Sequence, residues 1–226
     1  MRTSNFGTDA ASIARTRRSA IAGFSVIEIL VVLVVIAILS AISIPYVYNY
    51  TKLYKSEDQA IKVMDLMRET AQLALTRRRT MRFEIDLTDN AALVIDENGA
   101  APDTLIKRIP LESVSEVRMD AVPSGVTRPT PPNYADAAYT TDTLGHQRAG
   151  QTVINNMVWA ARFRSDGTAV NAANLPMSVT LYSWPPAQPG SMTPRKLGEV
   201  RAITLFGGTG AVRYWKHSGT AFVPYQ

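Results

Sequence analysis

Histidines, grouped carboxylates and runs of arginine are the places where this 226-residue sequence could do chemistry. His146 and His217 are its two histidines, neither stands in a recognised metal-binding spacing, and both are expected at the surface. Asp86, Asp89, Asp96 and Glu97 could gather round a cation, but they do not follow the D-x-D-x-D-G loop and their positions bracket turns. With no cysteine there is no thiolate zinc site, no disulfide and no thiol nucleophile. Gly207-Gly208-Thr209-Gly210 lacks the Lys-Ser/Thr end of a phosphate loop, and neither a G-x-S-x-G elbow nor an H-E-x-x-H pair occurs. No enzymatic constellation emerges, and no metal or cofactor is expected. Two basic groups remain, Arg77-Arg78-Arg79 with Arg82, and Arg213-Tyr214-Trp215-Lys216-His217. In the second, aromatics alternate with charge as in proteins that stack single-stranded bases, which makes Arg213 and Lys216 candidates for nucleic-acid contact. A solvated strand face accounts for the same residues.

Glu28 is the sharpest chemical signal. It is the single charge in Phe24 to Ile44, 21 residues that as a helix would span roughly 31 Å, the thickness of a hydrocarbon core. A carboxylate inside a membrane costs roughly 2.5 to 3.5 kcal/mol even on the lenient scale and calls for a partner. No Lys or Arg lies within the stretch. Cleavage between Gly23 and Phe24 would create an α-amino group four residues before Glu28, and a staggered neighbouring chain could bring that amine to this carboxylate.

The elements around these residues set the topology. Arg2, Arg15, Arg17 and Arg18 precede the apolar run with Asp9 alone to offset them, so residues 1–23 are expected in the cytoplasm and the body across the membrane. The net charge is +5, and removing residues 1–23 leaves 20 basic against 18 acidic side chains, a balance that does not favour nucleic acid as a partner. An ordinary secretory signal cut near Ala41-Ile42-Ser43 competes, although its apolar region would be too long, as does a plain signal anchor. Residues 45–76 continue as an amphipathic helix with Tyr50, Tyr54, Ile61, Met64, Met67, Ala71 and Leu75 as the inward stripe, Pro45 kinking it or marking its exit from the membrane. Residues 77–226 read as a β-rich globular domain. Met81, Phe83, Ile85 and Leu87 alternate with Arg82, Glu84 and Asp86, and a turn at Asp89-Asn90 leads to Leu93-Val94-Ile95, which predicts a hairpin ending at Asp96-Glu97-Asn98-Gly99. Further strands are predicted at Thr104 to Ile109, Asn156 to Arg164, Met177 to Ser183, Val200 to Phe206, Gly210 to Lys216 and Ala221 to Val223. Exposed loops are expected near 122–151 and 185–194, which hold eight of the thirteen prolines.

Gly23, then Phe24-Ser25-Val26-Ile27-Glu28-Ile29-Leu30, an unbroken apolar stretch and Pro45 together resemble the class III leader and helical spine of type IV pilins and type II secretion pseudopilins. That resemblance implies cleavage after Gly23 by a prepilin peptidase, N-methylation of Phe24, and use of Glu28 in filament assembly. It also implies an α+β fold, a long transmembrane and amphipathic helical spine packed on a mostly antiparallel two-sheet domain. The implied partners are membrane lipid before assembly, the peptidase, an inner-membrane assembly platform and other pilin-like subunits. The order of helix, hairpin, long loop, Phe163-Arg164-Ser165-Asp166-Gly167 and a Gly-rich turn is similar to the H-type minor pseudopilins and FimT-like minor pilins. Major pseudopilins bind calcium through acidic residues near the carboxyl end, whereas residues 202–226 contain neither Asp nor Glu. The expected function is therefore that of a minor pseudopilin of a type II secretion system, in the inner membrane with a periplasmic body and in the filament after assembly. Two alternatives stand beside it, a minor pilin of a type IV pilus and a membrane-anchored periplasmic enzyme or binding protein. FimT-like pilins used in DNA uptake carry Gly-Arg-x-Arg, and Gly210-Ala211-Val212-Arg213 lacks the first Arg, which weakens the DNA reading.

Overall fold

The computed structural model describes residues 24–97 and 103–225; the leader, Gly23 and the predicted turn at Asn98-Gly99 lie outside them. The described chain is α+β, with one amino-terminal apolar helix and a mostly antiparallel β domain, and it divides after Pro45 into two compact units. Helix α1 (Val26–Arg77) is helical on both sides of Pro45.

In the first unit Ser25 caps the helix. Its hydroxyl accepts the Glu28 amide at 3.2 Å, half of the reciprocal pattern that Ser-x-x-Glu offers at a helix start. Glu28 thus occupies the first turn, where the helix dipole favours a negative charge. Ser43 returns its hydroxyl to the Leu39 carbonyl at 2.8 Å, so this polar side chain asks nothing of its surroundings.

In the second unit the carboxyl-terminal half of α1 buries Ser56, Gln59, Ala60, Val63, Met64, Leu66, Met67, Thr70 and Ala74. Residues 56, 60, 63, 67, 70 and 74 recur at alternating steps of four and three, one helix face. The expected stripe is corrected here: Tyr50, Tyr54 and Leu75 are about half exposed, whereas Met64 and Met67 are inside. Tyrosine at helical spacing misled because its ring packs equally well against an outer surface with the hydroxyl wet.

Strands β1 (Thr80–Asp86) and β2 (Ala91–Glu97) form the predicted hairpin, with Phe83 opposite Val94, and Asn90 adopts the left-handed conformation (φ 47°) that closes its turn. Five of the six further predicted strands appear close to their expected bounds as β3 (Thr104–Pro110), β9 (Met157–Phe163), β11 (Val179–Trp184), β12 (Arg201–Phe206) and β13 (Ala211–His217). The last is β14 (Phe222–Pro224). Short strands not anticipated are β4 (Arg118–Asp120), β5 (Ala135–Asp136), β6 (Thr140–Thr141), β7 (His146–Arg148), β8 (Gln151–Val153) and β10 (Ala169–Val170). The first sheet has the order β10-β9-β1-β2-β3-β7-β8, with β6 also on β9; the second runs β14-β13-β12-β11-β4, with β5 on β11. Pairing is antiparallel except at β3–β7 and β5–β11.

Both sheets turn one face to the same core. Phe83, Ile85, Trp159 and Phe163 from the first meet Leu181, Ile203 and Leu205 from the second, with Leu66 and Met67 from α1. Each such side chain contributes roughly 1.5 to 3 kcal/mol on burial, which is what holds the three layers together. Gly207 and Gly210 sit where neighbouring backbone comes too close for a side chain. A Cβ at Gly207 would lie 2.3 Å from the Met177 carbonyl oxygen, and one at Gly210 2.7 Å from that of Gly167. The Gly-rich segment is therefore a packed hairpin turn between β12 and β13, as its sequence suggests.

The loops depart from expectation. Residues 187–190 of the second proline-rich segment are exposed and bridged at the base by Pro186 and Pro194. The first is largely folded back: Val122 and Val126 cover Tyr182, Trp184 and Trp215 on the outer face of the second sheet, and Ala137 enters the main core. Its remaining part, through Asp142, Gly145 and His146, covers the outer face of β1.

Candidate functional site

Two places in the described chain concentrate functional potential. The first is the apolar part of α1. Val26–Ile44 is the one candidate membrane span among the described residues, and its large apolar side chains are between 48% and 83% exposed. Leaving so many Val, Ile and Leu side chains wet would be very unfavourable, so this surface belongs in lipid or against other protein. A membrane anchor and a signal sequence both satisfy that demand. Phe24, the expected first mature residue, is 76% exposed, and Glu28 is exposed in the first turn. Gly23 lies outside the described residues.

The basic groups do not form one surface. Arg77 and Arg79 lie 3.4 and 3.7 Å from Asp96, whereas Arg82 is fully buried. At the carboxyl end, the Lys216 ammonium is held by Glu57 at 2.5 Å and sits 4.0 Å above the Tyr225 ring. Arg213 is exposed, with its guanidinium 5.9 Å from the Trp215 ring centre. Tyr214 and Trp215 are buried, and the Trp215 indole N–H is used by Thr204 at 2.9 Å. Neither of these rings is free to stack on a base, so the alternation in sequence marks the two packed faces of a strand.

Glu57 is the hub between helix and tail. Burial opposes its ionisation, but Lys216 and Arg201 together outweigh that and hold the carboxyl below its ordinary value. An acid with a depressed folded pKa stabilises fully above its unfolded value, near 4.5, and that stabilisation disappears as pH falls through the lower folded value. Glu57→Gln should therefore cost about 1 kcal/mol at pH 7 and distinctly less near pH 3. Urea midpoints at the two pH values check it.

The second place is the outer face of β1, where alternation predicts a wet strand face of Arg82, Glu84 and Asp86 and the structure buries all three. Arg82 donates to Glu97 (3.2 Å), to Asp103 (3.1 Å) and to the Gly145 carbonyl (2.6 Å). Its Nε lies 3.3 Å from Glu84 Oε2 without hydrogen-bond alignment, an ion pair and no more. Arg162 shares Glu97 at 2.5 Å. The carboxylates proposed to gather in sequence are dispersed instead. Asp96 goes to Arg77 and Arg79, Asp89 to Arg148, and Asp86 caps its turn through the Thr88 and Asp89 amides at 2.8 and 2.9 Å.

A different set converges. Glu84, Asp142 and His146 each bring one ligand-type atom to within 4.8 Å of the others, and all three are buried. Both histidines, expected at the surface, are inside, His146 at 1% and His217 at 5% exposure. His217 packs edge-on against Phe222, and its Nδ1 accepts the Gly219 amide at 3.0 Å. His146 has no hydrogen-bond partner at either ring nitrogen among the described residues. Burial, and then the Arg82 charge, hold its pKa below the ordinary value, so the ring is neutral. Burial pushes the Glu84 carboxyl up to about 8, Arg82 pulling the other way and Asp142, Asp86 and Asp103 reinforcing the rise. Asp142 is oriented by the Leu144 and Gly145 amides at 2.9 and 3.1 Å. Asp142 and His146 stand four apart in sequence, a spacing that could have flagged them; nothing local linked them to Glu84.

Comparison with protein-family models, with curated proteins and with solved structures finds no match to this chain.

Proposed function

We propose that this chain is a minor pilin-like subunit, most similar to the minor pseudopilins of type II secretion systems. In this reading it is inserted by its apolar helix, cut after Gly23, methylated at Phe24 and packed into a short periplasmic filament that assists protein export. The observation that carries the reading is the exposed apolar stretch Val26–Ile44, with Glu28 as its one charge, directly after the Gly23-Phe24 junction. An anchor that only tethered would gain no more than helix-start stabilisation from a carboxylate at that depth, whereas a helix bound for a bundle also gains a partner for a neighbour's amine. The apolar part of α1 would then be the part shared among subunits. The role is assembly, with no catalytic step assigned to any residue. The burial of Tyr214 and Trp215 and the pairing of Lys216 with Glu57 leave Arg213 alone at the surface, which favours export over DNA capture.

Processing is the test. Co-expressed with a prepilin peptidase, the chain should yield a mature protein beginning at Phe24 and carrying one added methyl group, read by intact mass. A product beginning near Ile44 would return it to ordinary secretory signals, and an uncut chain to signal anchors.

A further inference from the structure

We propose that Glu84, Asp142 and His146 form a binding site for one divalent transition-metal ion of the zinc class, which fastens the segment from β6 to β7 onto the outer face of the first sheet. The three ligands come from β1, from the turn after β6 and from the first residue of β7. Donors on a tetrahedral zinc-like ion, at bonds of about 2.0 to 2.2 Å, lie roughly 3.3 to 3.6 Å apart, so a set within 4.8 Å closes on an ion when each side chain shifts by up to about an ångström.

What points to a ligand is the unmet polarity of the site. Glu84 and His146 are at least 99% buried, and both Glu84 oxygens and both His146 ring nitrogens are without a hydrogen-bond partner among the described residues. A buried polar atom left in that state is unfavourable, and here three atoms of two facing side chains share the condition, while Glu84 Oε2 has only its misaligned ion pair with Arg82. Arg82 cannot supply the imidazole with an acceptor, because a guanidinium only donates. Charge agrees: Glu84, Asp86, Glu97, Asp103 and Asp142 meet Arg82 and Arg162, while Arg148 is engaged by Asp89. A dication would offset the excess of carboxyl groups.

The donor set selects the ion. One imidazole with two carboxylates suits zinc or manganese better than calcium, which takes six to eight oxygens. Asp142 also lines a solvent-open groove of about 570 Å³ with Leu144, Trp159 and Asn171, which gives an ion its way in and leaves room for water as a further ligand. Arg82, beside Glu84, and the amides on Asp142 would hold two of the ligands in place from behind.

The experiment uses the untagged full chain in detergent, stripped with chelator, dialysed against zinc alone and desalted. Retained metal is counted by elemental mass spectrometry, and melting is followed by tryptophan fluorescence. The wild type should keep about one zinc per chain and, with zinc about a hundredfold above its dissociation constant, melt about 5 to 10 °C higher than in chelator. Glu84→Gln and His146→Gln should each retain under about a tenth of that zinc and lose the shift, whereas His217→Gln should keep both. Should either variant fail to fold in chelator, Asp142→Asn, which keeps an oxygen for the turn amides, takes its place with the same expectation. The proposal is overturned if the folded wild type keeps no zinc and shows no shift, if the variants keep as much zinc as the wild type, or if calcium alone gives the shift.

Discussion

Arg82→Met should destabilise the β domain by about 3 to 5 kcal/mol, the largest effect expected of any single substitution outside the main apolar core. The reason is asymmetry. The guanidinium is fully buried and in contact with Glu84, Glu97, Asp103 and the Gly145 carbonyl, so removing it strands several groups at once. Methionine fills much of the volume, which keeps a cavity from confusing the result. The Gly145 contact also ties the segment bearing His146 to β1, so its loss loosens the cover over the strand. Urea unfolding in chelator, followed through Trp159, Trp184 and Trp215, all buried, reads the change. A loss under about 1 kcal/mol for Arg82→Met would mean that the cluster is reached by water and that its ion pairs carry little.

Much of the fold was legible in the residues. Alternation at Met81, Phe83 and Ile85 placed β1 and its inward face, and Asp89-Asn90 placed the turn, because strand period and turn chemistry are local properties. What alternation could not tell was that the opposite face is also buried. The cover comes from the segment around residues 140–146, more than fifty positions away, and the Pro-, Thr- and Ala-rich stretch 122–151 that contains it reads as a wet loop until it is seen lying on charged side chains. The same long-range contact hid the Glu84, Asp142 and His146 set, only one pair of which is close in sequence. Tyr50 and Tyr54 failed for the reverse reason: the helix spacing was right and the environment was not. Glu28 was legible because a single charge within 21 mostly apolar residues needs no partner in sequence to be conspicuous.

Glu28→Ala should leave insertion and cleavage intact and impair assembly, since the peptidase acts at the Gly23-Phe24 junction and the carboxylate meets a neighbour's amine only later. One-sided loss of a buried pair costs roughly 3 to 5 kcal/mol, an upper guide for an amine near the membrane interface. A third of that shifts assembly about fivefold or more. The structure adds a local role that must be separated from the charge. Ser25 accepts the Glu28 amide, a bond that alanine at position 28 keeps, while a glutamate side chain could complete a capping box by reaching back to the Ser25 amide, a contact that alanine removes along with the charge. Glutamine serves such a box as glutamate does. Glu28→Gln therefore keeps the cap, removes the charge, and should assemble as poorly as Glu28→Ala.

The most direct measurement is photo-crosslinking in cells that supply the prepilin peptidase and the accompanying pilin-like subunits, with a photoreactive amino acid in place of Leu39, which is 58% exposed on the apolar helix. Processing and crosslinking are followed on the same gel. The account predicts that the wild type is cut and crosslinks to other subunits, and that Glu28→Gln is cut to the same extent but crosslinks at least about fivefold less. A Glu28→Gln chain that is cut and crosslinks as well as the wild type, or a wild type that is cut and crosslinks to no other subunit, would contradict it.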